Sequence, residues 1–476
     1  MAVVKSSVAY VSTEIVKKGL GVAILPILTR LLSPIEYGII GTLMACRGFL
    51  SQSLSLGMTV SLHRLYFSYG EKQSELRGFL SSNIMFLMFV AGLVCLALDQ
   101  LAVPAVTEAI LGDSKHQLPM RITLWSVYVG LPMAVLLPVF ASAEKSLIVS
   151  LLDTARFVLE NTLILLFIGV FTWGVTGYLQ GQIVTAGLFM AISTWLLARN
   201  FGAFEFRLSY VGKALSFGLP LVPAMILGWV LSISDRLILA HYSTLDDIGF
   251  YSLAANLGAM TVMLLAAFER AWTPWFYSSM RNFQGSFLAT FSEFMTAWVA
   301  IIGSACVIGC VYSKELLAII VDKAFWSAHI FVPPIMVAAF LVSVYGFAAA
   351  FLYHDGRTGV FPMILGIAAI VNLSLNLIFI PEQGAIAAAY TTLIAYVVAA
   401  FFYFYFAKVH HRLRIAVFRS GLLLLAIISV SLSPAIVGGV VPRSVLVGLY
   451  LIVAFMCVGS KAMRSWPDLW IQIKSA

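Results

Sequence analysis

Charge is scarce in this chain. Acidic and basic residues make up 11% of its 476 residues, where soluble domains carry roughly 25%. Hydrophobic residues reach 61%, against roughly 45–50%, and the mean hydropathy is +0.99. A soluble chain of this length cannot hide so much apolar surface in its cores, whereas a bilayer accepts it as lipid-facing surface. Cysteine is also sparse. Cys46, Cys95, Cys306, Cys310 and Cys457 all lie inside apolar segments, which excludes a secreted disulfide framework. Cys306 and Cys310 stand one helical turn apart without a His or third Cys, and read as apolar filler rather than a metal pair. Long polar connections are lacking too. The longest outside one, about 99–118, holds no Cys/His grouping and no metal-ligand spacing, and no glycine-rich phosphate loop follows a strand. These absences exclude a soluble catalytic domain, and no cofactor or metal site is expected.

What remains is a series of apolar segments of spanning length, about 20 residues each. Fourteen are expected, at 8–29, 37–62, 79–98, 119–142, 147–170, 173–197, 212–241, 247–268, 288–312, 331–353, 358–380, 383–407, 418–441 and 444–462. The expected fold is therefore all-α and polytopic. The first span carries Glu14, Lys17 and Lys18, which suits a retained span rather than a cleaved signal peptide. The net charge of +8 is not a nucleic-acid signal, because the basic residues sit in short runs between apolar segments. With the N-terminus inside, most Lys and Arg fall in inside connections, among them Arg64, Lys72, Arg77, Lys145, Arg199 and Arg207. Few fall outside: Arg30, Lys115, Arg121, Lys314, Lys323 and Arg443. The positive-inside rule selects this orientation, with both termini cytoplasmic.

The chain also repeats itself. Ser33-Pro34-Ile35-Glu36-Tyr37-Gly38 opens the second span and Thr244-Leu245-Asp246-Asp247-Ile248-Gly249 the eighth, 211 residues later. Both read as Ser/Thr-x-x-acid, a helix N-cap with a capping carboxylate. Gly174-Val175-Thr176-Gly177 and Gly384-Ala385-Ile386-Ala387 open the sixth and twelfth spans at an offset of 210, and the inside turns Ala143-Glu144-Lys145 and His354-Asp355-Gly356-Arg357 form a third pair. The expected domains are two six-helix bundles, 1–206 and 207–415, in one orientation and related by a pseudo-twofold along the membrane normal. Residues 416–476 add two further helices and a cytoplasmic tail, an appendage that faces lipid or a partner. Transporters with such repeats bind substrate between the halves.

Charges placed inside spans are the functional candidates, since each costs roughly 2.5–3.5 kcal/mol at a helix centre. They are Glu14, Lys17, Lys18, Arg47, Asp153, Arg156, Glu160, Asp235, Arg236 and Glu293. Glu14 and Lys18 are i, i+4 and can pair. Arg47 has no acid in its span, so it meets an acid from another helix or faces an aqueous cavity. Asp153, Arg156 and Glu160 form an i, i+3, i+7 stripe, which lines a cavity or lies in an interfacial turn. Asp235 and Arg236 are adjacent and point in different directions, and Arg236 can snorkel outward. Glu293 reads as interfacial. Asn372 and Asn376 share a helix face suited to interhelical hydrogen bonds. Pro26, Pro132, Pro138, Pro220 and Pro223 interrupt spans, as static kinks or as bending points.

At the level of motifs, Leu31-Leu32-Ser33-Pro34-Ile35-Glu36-Tyr37-Gly38 resembles the LLSPxEYG signature of Wzx-type polysaccharide flippases. Gly218-Leu219-Pro220-Leu221-Val222-Pro223 with Ser234-Asp235-Arg236-Leu237-Ile238-Leu239 resembles their GLPLxP…SDRxxL pattern, and Ile248-Gly249-Phe250-Tyr251-Ser252 their xGxYS. With the span count, the resemblance extends over nearly the whole chain. That family belongs to the multidrug/oligosaccharidyl-lipid/polysaccharide exporter superfamily, together with the lipid II flippase MurJ and the MATE antiporters. The resemblance implies translocation of an undecaprenyl-pyrophosphate-linked oligosaccharide (an O-antigen, capsule or exopolysaccharide repeat unit) between leaflets of a bacterial inner membrane. It implies a diphosphate site on Lys17, Lys18, Arg47, Arg270 and Arg236. Two C-terminal helices depart from the twelve-span members. Glu14 and Asp235 are the candidates for coupling to a counter-moving H⁺ or Na⁺, with Asp153, Arg156 and Glu160 as further coupling or pairing residues. A polysaccharide polymerase and chain-length machinery are the implied protein partners. Two alternatives stay open. An ion-coupled drug/cation antiporter on the same fold should have an acidic cavity, and a membrane glycan polymerase or ligase should have substantial outer loops.

Overall fold

The computed structural model describes residues 17, 19–21, 23–69, 73–143, 146–201, 205–281, 287–357, 359–407, 414–435 and 439–475. Among the described residues, nine helices are long and apolar enough to cross a membrane, and two shorter apolar helices, Gly19–Leu31 (α1) and Phe418–Ser431, accompany them. The chain divides into two compact units, Met1–Gly249 and Phe250–Ala476.

In the first unit α1 leads into α2 (Pro34–Leu54), α3 (Met58–Tyr69), α4 (Gln73–Leu101), the short α5 (Val103–Leu111), α6 (Gln117–Ser142), α7 (Ser146–Gly169) and α8 (Gly174–Phe201). The seventh span follows as three pieces, α9 (Leu208–Gly218), α10 (Val222–Ile233) and α11 (Asp235–Tyr242), with a 3-10 turn at Leu219–Leu221. The expected interruption of the span at 212–241 by Pro220 and Pro223 is seen here. Pro220 lies in the 3-10 turn, and a second break at Ser234 separates α10 from α11. Conversely, α6 runs unbroken through Pro132 and Pro138, as spanning helices tolerate when neighbours re-satisfy the freed backbone groups.

The expected second span at 37–62 is also broken, between α2 and α3. Leu56 and Gly57 adopt left-handed backbone, with φ of 50° and 69°. The cause is tertiary: a Cβ on Gly57 would lie 2.1 Å from the Gly218 carbonyl oxygen at the end of α9. Only glycine combines that φ with so close an approach.

Both expected caps form. The Ser33 hydroxyl accepts from Glu36 N at 3.3 Å while Ser33 N donates to Glu36 Oε2 at 2.9 Å. Thr244 Oγ1 accepts from Asp247 N at 3.2 Å and donates to Asp247 Oδ2 at 2.7 Å. The two capped helix starts also cross. A Cβ on Gly38 would sit 2.0 Å from the Leu245 carbonyl oxygen, and a Cβ on Gly249 would sit 2.1 Å from that of Pro34. Residues 34 and 38 therefore meet 249 and 245 reciprocally, a local two-fold at the 211-residue offset. Gly174 and Gly384, the second repeated pair, both have positive φ, 51° and 62°.

The second unit begins with the rest of α12 (Leu245–Arg281), a helix longer than the expected 247–268, and continues through α13 (Phe287–Val311), α14 (Ser313–Ile320), α15 (Val332–His354), α16 (Val360–Gln383) and α17 (Ala385–Ala407). It closes with α18 (Arg414–Ser431) and α19 (Val440–Ser475). Asn376 Nδ2 donates to Asn372 Oδ1 at 3.1 Å, and Thr391 of α17 donates to Asn376, which gives the interhelical bonds expected of that pair.

The last two helices are not a loose appendage: they pack on α13. Leu423, Ile427, Val447 and Tyr450 join Val299, Val307 and Val311 in one buried core. Arg419 pairs with Glu293 at 3.4 Å near one end of α13. Near the other, Arg443 donates to Glu315 Oε1 at 2.7 Å, to the Val311 carbonyl at 2.9 Å and to the Gly439 carbonyl at 2.8 Å. Burial works against the Glu315 carboxylate, but the backbone N–H at the start of α14 and Arg443 outweigh it and hold its pKa below the usual carboxylate value. The pair therefore contributes stability above that range and loses it as the pH falls through the depressed value.

Backbone crossings leave no room for a methyl group. Gly249→Ala should lower the thermal unfolding midpoint of the detergent-solubilised protein by the equivalent of about 1–3 kcal/mol, whereas Gly421→Ala, where a Cβ meets open space, should not lower it.

Candidate functional site

α2 carries Arg47 thirteen residues past Pro34, about 20 Å along the axis at 1.5 Å per residue. Its only acid, Glu36, is engaged in the cap at the helix start. α7 supplies the partners. Asp153, Arg156 and Glu160 lie in the body of that helix, so the interfacial-turn alternative does not hold, and the i, i+3, i+7 spacing puts them on one face. Glu160 stands between two arginines, its Oε1 3.9 Å from Arg47 Nη1 and its Oε2 3.8 Å from Arg156 Nε. Lys17, just ahead of α1, bonds Asp153 directly. Tyr178 of α8 interacts electrostatically with both Arg47 and Glu160.

Among the described residues, the structure thus gathers three cations and two carboxylates, from α2, α7 and Lys17. The Arg47, Glu160, Arg156 and Lys17 side chains are 15–25% exposed, and Asp153 is 40% exposed. They are neither locked away nor turned fully outward.

Arg47 is held in place by a residue that sequence reasoning missed. Trp229 of α10 donates its Nε1–H to the Ala45 carbonyl at 3.1 Å. Its ring lies 5.2 Å from that of Phe49. Gly48 admits it, since a Cβ there would meet Trp229 Nε1 at 2.9 Å. The contact brackets Arg47 on both sides in sequence. Only the lone tryptophan amid the proline-broken seventh span hinted at a special role.

Asp235 and Arg236 stand on the separate short helix α11. Asp235 is buried, and its Oδ1 accepts from Arg236 N at 2.8 Å. Glu14 and Lys18 lie outside the described residues, as does the Arg270 side chain, whose backbone belongs to α12. Among the described residues, no group of three or more His, Cys, Asp or Glu could hold a metal ion. An apolar cavity of about 310 Å³ opens on another part of α2. It is lined by Cys46, Phe49 and Leu50 of α2, Leu98 of α4, Val106 of α5 and Leu124 of α6, among others. Its wall offers hydrocarbon only.

The indole bond generates a prediction. Trp229→Phe keeps the ring but loses the donor, and should cost about 1 kcal/mol of unfolding stability; Trp229→Ala should cost about 3–5 kcal/mol. Thermal unfolding in detergent reads both.

The comparisons with known proteins agree with this architecture. Among curated protein sequences none matches this one. Solved structures do match. The lipid II flippase MurJ in an inward closed conformation superposes with a TM-score of 0.69, over 95% of this chain and 98% of that one, at 15% identity. An inward-facing MATE multidrug resistance transporter of the MOP superfamily gives 0.63, over 85% and 94%, at 12% identity. An outward-facing one gives 0.51, over 86% and 95%, at 13% identity. At such identities the likeness establishes the fold: all-helical, polytopic and MurJ/MATE-like. The profile of the family described as polysaccharide biosynthesis protein matches residues 3–280. That stretch is more than half of the chain and contains the whole charged cluster, and the chain belongs to the polysaccharide biosynthesis protein family.

Proposed function

We propose that the protein moves an undecaprenyl-pyrophosphate-linked oligosaccharide, the repeat unit of an O-antigen, capsule or exopolysaccharide, from the inner to the outer leaflet of the bacterial cytoplasmic membrane. One observation carries the reading: among the described residues, Lys17, Arg47 and Arg156 converge around two carboxylates. A net positive cluster in low dielectric is suited to a diphosphate, which hydrocarbon alone cannot admit. Arginine is also suited to bidentate phosphate contact. Membership of a polysaccharide biosynthesis family supports a glycan cargo.

In this reading Arg47 is the principal diphosphate ligand, Lys17 and Arg156 lie beside it, and Lys18, Arg236 and Arg270 complete the path. The sugars follow the headgroup, while the polyprenyl tail stays in lipid. The halves expected at 1–206 and 207–415 rock to give alternating access, with both termini cytoplasmic. The inside-negative potential favours outward movement of an anion by about 2.3 kcal/mol per charge per 100 mV, about 5 kcal/mol for two charges. A counter-moving H⁺ or Na⁺, carried through Glu14 or Asp235, adds to this drive. The product leaves for a polymerase and its chain-length machinery.

Arg47→Ala should abolish export of the lipid-linked glycan, measured as its accumulation in the inner leaflet of cells carrying only the variant. Unchanged export together with lost cation efflux would instead identify a drug/cation antiporter. Glycosyl transfer by the purified protein from a lipid-linked donor would identify an enzyme.

A further inference from the structure

The five charges of the cluster are not paired alike. Lys17 and Asp153 are in direct hydrogen-bonded contact. Glu160 instead divides its two oxygens between two guanidinium groups at 3.9 and 3.8 Å, beyond the 2.7–2.9 Å of a charge-assisted bond. It holds both arginines without engaging either. Arg47 comes from α2 and Arg156 from α7, so the carboxylate bridges two helices, with Tyr178 of α8 as the third group in its electrostatic neighbourhood. Two guanidinium groups left facing each other would repel, and an anion between them removes that repulsion. A diphosphate has the same chemistry as that bridge, with more charge and more oxygens to reach both forks.

We propose that Glu160 is the resident anion of the diphosphate seat: it occupies the space between Arg47 and Arg156, gives way to the diphosphate, and returns to expel it. The inference rests on the reading of the cluster as a diphosphate site and assigns that site its release device. Binding and release make opposite demands on such a site. An arginine pair with no competitor would hold a diphosphate too tightly to let it go. A carboxylate kept just out of bonding distance lowers the affinity, and it can reclaim both arginines as the product departs. Asp153, in firm contact with Lys17, cannot play this part, whereas Glu160 can move without first breaking a short bond.

The test uses the purified full-length chain in lipid nanodiscs with inorganic pyrophosphate as the probe, read by calorimetry. Glu160→Gln removes the competitor and should tighten binding about tenfold, equivalent to 1.4 kcal/mol. Glu160→Asp, whose shorter acid retreats from both arginines, should fall between wild type and Glu160→Gln. If Glu160→Gln does not fold, Glu160→Asp against wild type decides alone. On the Arg47→Ala background, Glu160→Gln should give no gain, and Asp113→Asn, in the α5–α6 connection, should match wild type. In proteoliposomes charged with the lipid-linked glycan, Glu160→Gln should lower KM and kcat together, a split that simple loss of structure does not produce. Equal or weaker pyrophosphate binding by a folded Glu160→Gln or Glu160→Asp, or the same gain in Asp113→Asn, would overturn the proposal. If wild type itself binds no pyrophosphate, the diphosphate reading falls and takes the proposal with it. If Arg47→Ala abolishes binding but the Glu160 variants leave it unchanged, the reading stands and only the role of Glu160 is lost.

Discussion

A guanidinium carried on α2 constrains everything around it. Arg47 cannot be abandoned in hydrocarbon, where a lone charge costs several kcal/mol, so its helix must be aimed and its charge answered. α2 is gripped along its whole length. At its start the Gly38 backbone lies against the first turn of α12, in the middle Trp229 is seated on Ala45 and Gly48, and just beyond its end Gly57 abuts Gly218. Three contacts of this closeness leave the helix little freedom to rotate or slide. Sites built on such fixed elements hold their geometry better than sites on loops.

α7 answers the charge, and does so incompletely. Two carboxylates on one face of α7 meet three cations, one of them on α7 itself. Buried ion pairs rarely repay their desolvation, so five partly buried charges are poorly explained as a stability device. An excess of positive charge with partial exposure is what an anion-handling site requires. Under the proposed function, the apolar cavity lined by Cys46 and Phe49 offers hydrocarbon surroundings on the same helix that carries Arg47.

The second unit follows a different logic. Its core is dense and aromatic: Trp272, Trp275, Phe276, Phe291, Phe294 and Phe347 pack in edge-on and tilted contacts between α12, α13 and α15. Its last two helices pack on α13 through a shared apolar core, with Arg419 paired to Glu293 of α13 and Arg443 to Glu315 of α14. Rings in tilted and T-shaped contact gain beyond simple burial.

Much of this was legible in the sequence because it depends on local chemistry. Hydropathy over 20-residue windows located most of the helices. Ser33 with Glu36 and Thr244 with Asp247 announced their caps, because a capping bond spans only three residues. Gly38 and Gly249, 211 residues apart in the matched motifs, lie at the crossing of the two capped helix starts. The stripe Asp153, Arg156, Glu160 was visible from helical spacing. What the sequence could not state was who meets whom. That Asp153 takes Lys17 and that Glu160 sits between Arg47 and Arg156 depends on how α1, α2 and α7 are rotated and placed, and that is set by packing between residues more than a hundred positions apart. The break at Leu56–Gly57 was hidden for the same reason, since its cause is the carbonyl of Gly218. Composition and short-range pattern alone made this a many-helix membrane protein with costly charges inside it. Only the tertiary structure decided that five of those charges form one cluster, because electrostatic pairing acts through space and has no local trace along the chain.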